Sequence, residues 1–384
     1  MRLLQKYQDK VNWVLSPLTK PVSAGSYLRW FSGVVVSVFL LCIAAVWFVD
    51  PHIYYHRAIG LKQVFDNSQA MIPGIMRHYD YDAIMFGSSM TQNFNIREIN
   101  HIFGVKSIKA TTAGLSGETF DQYFRFAKKC NPDGLKRCFI GVDIFSFAKI
   151  GEQLWEPYDH LYGDSLFPAE YFFSTDTLGD VFDAVIANCT AGRNPVAQQQ
   201  LDFYQMFSNR IGKFRYSRES MEWSIRCMDQ LPKSPDKSTR QNFEKQLLSH
   251  IRENPQIKFD LFLPPYSIYF WCYIDENKEL DKLSDLRNRF AEGVLKYPNV
   301  RLFDFHADFD ICCNLDNYKD ITHYSPEINT LILKKIASDI PVKSYAGFVK
   351  NTNAICEKLK EYKAEFARLR SLDVGPKKRR AVEE

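Results

Sequence analysis

The 384-residue chain lacks the glycine-rich loops that cradle phosphate and the G-x-G-x-x-G fingerprint of dinucleotide binding. It has no C-x-x-C pair, so zinc and dithiol redox chemistry find no ligand set in it. No internal repeat and no low-complexity tract is visible. No long basic stretch interleaves with aromatics and the net charge is only +4, which speaks against a nucleic-acid partner. Nothing in these patterns asks for a metal or a cofactor.

What is present begins with an asymmetry of charge. Residues 1–29 carry Arg2, Lys6, Lys10, Lys20 and Arg29 against one acid, Asp9. Trp30 to Val49 then runs uncharged, with Trp30 and Trp47 near its ends. A helix of that length spans roughly 30 Å, the thickness of a bilayer core. Indole rings favour the two interfaces, and the basic flank favours the cytoplasm. The expectation is a single-pass anchor over 30–49, a cytoplasmic segment over 1–29, and everything beyond Asp50 outside the cytoplasmic membrane. The run is longer than the apolar core of a signal peptide, and Val49-Asp50-Pro51-His52 offers no small-residue cleavage site.

Aromatic residues make up 15% of the chain, enough to build a large core. Residues 50–80 read as a linker. Short apolar runs then alternate with helical patterns. Strands are expected at Asp82–Phe86, Val105–Ala110, Arg137–Ile144, Lys258–Leu263 and Val300–Phe305, the fourth stopped by Pro264-Pro265. Helices are expected over 117–129, 240–253, 281–297 and 325–338; in the third, Leu283, Leu286, Phe290 and Val294 share one face. This alternation predicts an α/β three-layer sandwich over 81–340 with a mostly parallel five-stranded sheet. One interval, 147–236, breaks the pattern. It is aromatic and irregular, with Trp155, Tyr158, Tyr162, Phe167, Tyr171, Phe172 and Phe173, and reads as a helical insertion, either a lid or plain elaboration. Over 341–384 a helix is expected from Phe348 to Leu372, with Ile355, Leu359, Tyr362, Phe366 and Leu369 as its packing stripe, then a basic tail at Pro376–Arg380. Cys42 lies in the anchor. The other eight cysteines permit disulfides or buried thiols, and sequence assigns no pairs.

The sharpest chemical signal is Phe86-Gly87-Ser88-Ser89-Met90-Thr91, directly after the first strand. Parallel α/β sheets bind ligands at the carboxyl ends of their strands. A serine placed there suits attack on a carbonyl, but it needs a base. Asp320-Ile321-Thr322-His323, after the fifth strand, supplies one. The D-x-x-H spacing lets the carboxylate reach the imidazole within one turn, so Asp320 orients His323 and His323 takes the proton of Ser89. The His306-x-Asp308-x-Asp310 run reads as loop capping rather than a metal site. His52 and His56 lie just beyond the apolar run.

These blocks resemble the SGNH/GDSL hydrolase superfamily. Gly87-Ser88-Ser89 matches its G-D-S nucleophile block, with Ser88 in place of the aspartate. Ala113-Gly114-Leu115-Ser116-Gly117 matches the block that supplies an oxyanion-hole glycine, Gly114. Asp320 and His323 match the final D-x-x-H. The third block departs from the family: Gly141-Val142-Asp143 has no asparagine, and an ionised Asp143 cannot donate to an oxyanion. Losing such a donor costs about 100–1000-fold in rate. The resemblance implies a flavodoxin-like fold, catalytic Ser89, Asp320 and His323, and an oxyanion hole from the amides of Ser89 and Gly114. Ser88, Asp143, Tyr266 and Tyr324 are expected to line the substrate. The G-S-S form together with an N-terminal anchor is similar to a membrane-tethered subgroup, the teichoic acid D-alanyl transfer and alginate O-acetylation proteins. That likeness implies an esterase or O-acyltransferase acting on acyl esters of cell-surface polysaccharide beside a membrane-bound O-acyltransferase. The alternative is an inactive accessory protein that binds glycan or the acyltransferase.

Overall fold

The computed structural model describes residues 23–143, 156–208, 215–227 and 237–372. The basic stretch of the N-terminus through Pro21-Val22, Trp155 and the basic tail at Pro376–Arg380 lie outside the described residues.

Five strands form one sheet in the order β2-β1-β3-β4-β5, all parallel: β1 Ala83–Gly87, β2 Ser107–Thr111, β3 Arg137–Gly141, β4 Lys258–Leu263 and β5 Val300–Asp304. This is the flavodoxin-like order. Both faces are covered. Phe86 and Phe259 project to one side and meet Phe120 and Phe124 of helix Gly117–Cys130. Phe139, of opposite parity, meets Phe103 of helix Ile96–Phe103 on the other side. Every residue of β1 and β2 is buried; β1 reads as an unbroken apolar run, while β2 carries Ser107, Lys109 and Thr111 into the interior.

Polar groups inside the sheet are paired. Asp260 on β4 is fully buried and accepts from Arg137 on β3 and Arg301 on β5, each at 2.6 Å. Arg287 of helix Leu280–Val294 clamps Asp304, the last residue of β5, at 2.9 Å to both carboxylate oxygens.

Three stretches depart from the sequence expectation. The segment read as a linker holds helix Ser68–His78, and Ile53, Phe65, Met71, Ile72 and Ile75 sit in the main core. Pro73-Gly74 hid this helix from the pattern. Gly74 is where the chain presses on residues 52 and 53, since a Cβ there would stand 2.2 Å from the His52 carbonyl oxygen. The C-terminal helix is not continuous. It runs Tyr345–Lys358, tightens into a 3-10 turn at Leu359–Glu361, and resumes at Lys363–Ser371. The turn still lets Ile355, Leu359, Phe366 and Leu369 all pack on the domain. Finally, Asp308 caps helix Phe309–Cys312 through its carbonyl, which accepts from the amides of Ile311 at 3.0 Å and Cys312 at 2.8 Å, while its carboxylate pairs with Lys335 rather than capping.

The apolar run forms helix Ala24–Val49, which begins earlier than the uncharged stretch and is long and apolar enough to cross a membrane. Its carboxyl end is closed by Asp50, which is fully buried with φ +44°. The Asp50 carboxylate accepts from the amides of Tyr54, Tyr55 and His56 at 2.7–2.9 Å and from the Tyr171 hydroxyl at 2.5 Å. The nine cysteines are all free thiols.

Candidate active site

In a 2-1-3-4-5 sheet the strand order reverses between β1 and β3, and the crevice at their carboxyl ends is where ligands bind. Ser89 follows β1 and Asp143 follows β3, so both stand at that switch point.

Close packing of two glycines sets the turn after β1. Thr91 lies over both strand ends: a Cβ on Gly87 would sit 2.5 Å from Thr91 Cγ2, and one on Gly141 would sit 2.4 Å from the same atom. Only glycine lets the turn lie this flat on the sheet. The Thr91 amide and hydroxyl both donate to the Ser88 carbonyl, at 2.9 and 2.8 Å. Lys109, fully buried on β2, donates its ammonium to the carbonyls of Gln92 at 2.5 Å and Phe94 at 3.0 Å, fixing the far end of the turn.

The second half of the site comes from the loop before helix Pro326–Ala337. An antiparallel bridge joins Tyr318 to Tyr324, and the Lys319 amide donates to the His323 carbonyl at 3.1 Å. Ser267 ties the loop down by donating its hydroxyl to the Ile321 carbonyl at 2.8 Å. The Tyr324 hydroxyl donates to the Met90 carbonyl at 3.1 Å, which joins the two halves.

Across this junction Ser89 Oγ lies 3.0 Å from His323 Nε2, and His323 Nδ1 lies 2.8 Å from Asp320 Oδ2. The structure thus brings Ser89, His323 and Asp320 into one hydrogen-bonded line over 234 residues of sequence. Asp320 Oδ1 also accepts from the amides of Thr322 at 2.9 Å and His323 at 2.8 Å, and from the Thr322 hydroxyl at 3.0 Å. Burial raises the Asp320 carboxyl, but the His323 charge, its hydrogen bond and those two amides outweigh it and hold the group below the usual carboxylate range.

That shift has a consequence for stability. A carboxylate depressed in the folded state stabilises the fold above its unfolded pKa of about 3.9 and loses that contribution as pH falls through the lower folded value. Wild type should therefore unfold at a higher temperature than Asp320→Asn at neutral pH, with the gap narrowing below about pH 4. A gap that stays constant down to strongly acid pH would contradict the assignment.

The other expected site residues divide into two layers. Ser88, Asp143 and Tyr266 are buried and form a layer behind Ser89. Ser88 donates its hydroxyl to Asp143 Oδ2 at 2.7 Å, the Tyr266 hydroxyl donates to Asp143 Oδ1, and the Met90 amide donates to Ser88 at 3.2 Å. Asp143 is thus occupied as an acceptor beneath the turn, and Ser88, Asp143 and Tyr266 are not among the residues that line the cavity at Ser89. Gly114, in the turn after β2, takes a left-handed φ of +70°. Its amide and that of Ser89 make no hydrogen bond to the described residues. His306 is buried between the rings of Tyr266 and Trp271. Among the described residues no group of three or more His, Cys, Asp or Glu is arranged for a metal.

The cavity at Ser89 is small, about 50 Å³, and is lined by Ser89, Met90, Asn93, Tyr216, Lys319, His323, Tyr324 and Asn329. Sequence reasoning reached only Ser89, His323 and Tyr324 of these as site residues. Asn329 is the most informative of the rest. It is 1% exposed, and neither its amide nitrogen nor its carbonyl oxygen has a partner among the described residues. Buried amides are rarely left so, because each unpaired end costs about 1–3 kcal/mol. Its signal in sequence was only a polar residue one turn into an otherwise apolar helix face. Tyr216 guards the rim; burial, and then the charges of Asp320 and Glu327, push its phenol up to about 12, so it stays a hydrogen-bond donor. A larger cleft of about 670 Å³ runs along β5 and shares no lining residue with this site.

No protein-family model matches the chain, and neither does any curated protein. A solved structure from Streptococcus pneumonia, provisionally named a platelet activating factor, aligns over 85% of this chain and 99% of its own at 10% identity. The TM-score of that alignment is 0.33, too low to carry an argument about this chain.

Proposed function

We propose that this chain is a membrane-anchored serine acyl hydrolase or O-acyltransferase that works outside the cytoplasmic membrane on acyl esters of cell-surface polysaccharide. The observation that carries the reading is the line Ser89 Oγ to His323 Nε2 to Asp320, at 3.0 and 2.8 Å, standing at the switch point of the sheet.

In this reading His323 Nε2 accepts the Ser89 proton as Oγ bonds to the acyl carbonyl carbon. The carbonyl π electrons move to oxygen, and this reading assigns the amides of Ser89 and Gly114, which make no hydrogen bond to the described residues, to receive that charge. Asp320 keeps the Nδ1 proton in place and stabilises the imidazolium. As the tetrahedral centre collapses, the leaving alkoxide takes the proton from His323 and the acyl group stays on Ser89. Water or a sugar hydroxyl, deprotonated in turn by His323, then receives it. A cavity of about 50 Å³ suits a short acyl group such as acetyl; it would hold on the order of three or four waters.

The missing third-block asparagine leaves a place for Asn329. Its unpaired amide nitrogen, in the wall of the same cavity, is suited to donate to the oxyanion or to the acyl ester. Asn329→Leu should lower kcat/KM for an aryl acetate by about 10–1000-fold, the range for one lost donor. The melting temperature should stay level or rise, since two unpaired polar atoms are removed. Full turnover in the variant would remove Asn329 from the reaction.

An activated aryl acetate tests the function itself. Detergent-solubilised full-length protein should release a burst of about one phenolate per active site before steady turnover, as expected of an acyl-enzyme. A folded protein with neither burst nor turnover would sink the reading.

A further inference from the structure

The insertion carries an apolar surface that the other described residues leave bare, and its position along the apolar helix indicates what covers it. Helix Ala24–Val49 does not stand free of the domain. Ile43, Ala45, Val46 and Val49 pack in a second core with Tyr171, Phe172, Val181, Ala184 and Ala187 of the insertion. Further back, the Phe39 ring meets Phe173 edge-on at 5.2 Å. Phe39 precedes Val49 by ten residues, so this contact lies about 15 Å from the end of the helix. That is about half of a 30 Å hydrocarbon core. If the helix spans the bilayer, Phe173 stands well inside one leaflet, and so does the surface around it.

That surface is built for such a place. Helix Thr175–Thr190 buries Thr177, Val181, Ala184 and Ala187, yet leaves Phe182, Val185, Ile186 and Cys189 exposed. At 100° per residue these four fall within an arc of about 100°, a second apolar stripe on one helix. Phe182 is 69% exposed and Leu166, in the approach to the helix, 92%. The helix holds no Lys or Arg. Its three acids lie outside that arc: Asp180 pairs with His52 at 2.7 Å and with Asn67 at 3.4 Å, while Asp176 and Asp183 are exposed beside the stripe, on the side that would face the headgroups. Contiguous apolar patches of this kind are uncommon on protein that faces water.

We propose that the segment from Leu166 to Cys189 lies within the leaflet on the domain side, with Leu166, Phe182, Val185 and Ile186 against lipid acyl chains. The inference rests on reading Ala24–Val49 as a span and goes beyond it: the domain is held to the membrane by two elements, one crossing and one embedded. Ser89 is then fixed in height and tilt above the lipid rather than swinging on a tether.

The test uses full-length protein in phosphatidylethanolamine and phosphatidylglycerol vesicles containing a phospholipid with a diazirine on its acyl chain. Photolysis and peptide mapping should place adducts both in 24–49 and in 166–189, well above the level at Leu331, an exposed apolar residue of helix Pro326–Ala337. A Phe182→Glu, Ile186→Glu variant should lose the second set and keep the first, with ester turnover in detergent unchanged. Labelling of 24–49 with only background at 166–189 overturns the proposal and leaves the span intact; the stripe is then covered by protein, a second copy or another chain. Absence of labelling in both segments overturns the span and the proposal together.

Discussion

Replacing Ser89 by alanine should lower kcat/KM for an aryl acetate by roughly 10⁴-fold or more, and His323→Ala should cost about as much. The two residues act as one unit: Oγ without the imidazole has nowhere to send its proton, and the imidazole without Oγ has no nucleophile to activate. The double variant should therefore be no slower than either single one. Both side chains sit at a partly exposed junction, with His323 34% exposed, so neither change empties a core position. Melting temperatures should stay close to wild type, which separates loss of chemistry from loss of fold. Turnover within tenfold of wild type in either variant would mean that the 3.0 Å contact is structural.

The second large effect is expected one step behind the chemistry, at Gly141. A Cβ there would stand 2.4 Å from Thr91 Cγ2 and 3.2 Å from the Phe262 ring. Overpacking of this kind costs about 1–3 kcal/mol. The turn has one cheap response, which is to lift Thr91 away from the strand, and Ser88 and Ser89 are hydrogen-bonded to that turn. A displacement on the order of 1 Å can cost 100-fold in rate. Gly141→Ala should therefore lose both stability and most turnover. Thr91→Ser removes the clashing methyl and keeps the hydroxyl that donates to the Ser88 carbonyl. Added to Gly141→Ala, it should restore most of both properties, read by thermal unfolding and by aryl acetate kinetics. A Gly141→Ala protein with full activity, or no recovery in the double variant, would show that the turn is not held by this packing.

β1, β3 and β4 were legible as short, mostly buried apolar runs, whereas β2 alternates Ser107, Lys109 and Thr111 with Ile108 and Ala110 and was the weaker signal. The observed limits differ from the expected ones by a few residues at most. The order Ser89, then Asp320 and His323, was legible because Ser89 directly follows the first run and the D-x-x-H pair lies between the fifth run and the helix that follows it. Other elements were hidden for physical reasons. Helix Ile268–Glu276 buries Ile268, Tyr269, Phe270, Trp271, Cys272 and Tyr273, so it has no polar face to give a 3.6-residue period. The break at Leu359–Glu361 keeps the apolar spacing while changing the helix type, and spacing alone cannot register it. Asn329 and Tyr216 enter the site from segments far from the nucleophile in sequence. Only the folded chain puts their polar atoms in one cavity. Asp143 shows the opposite limit. Its residue type and strand-end position were plain, but its occupation by Ser88 and Tyr266 depends on side-chain directions that no spacing encodes.

The central claim is that Ser89 is a nucleophile activated by His323. It is tested most directly by treating folded full-length protein in detergent with a fluorophosphonate and mapping the adduct by peptide mass. The account predicts one adduct, on Ser89, that is absent in Ser89→Ala and strongly slowed in His323→Ala and Asp320→Asn. A folded protein that takes no adduct, or takes it on another serine while Ser89 stays free, would contradict the claim.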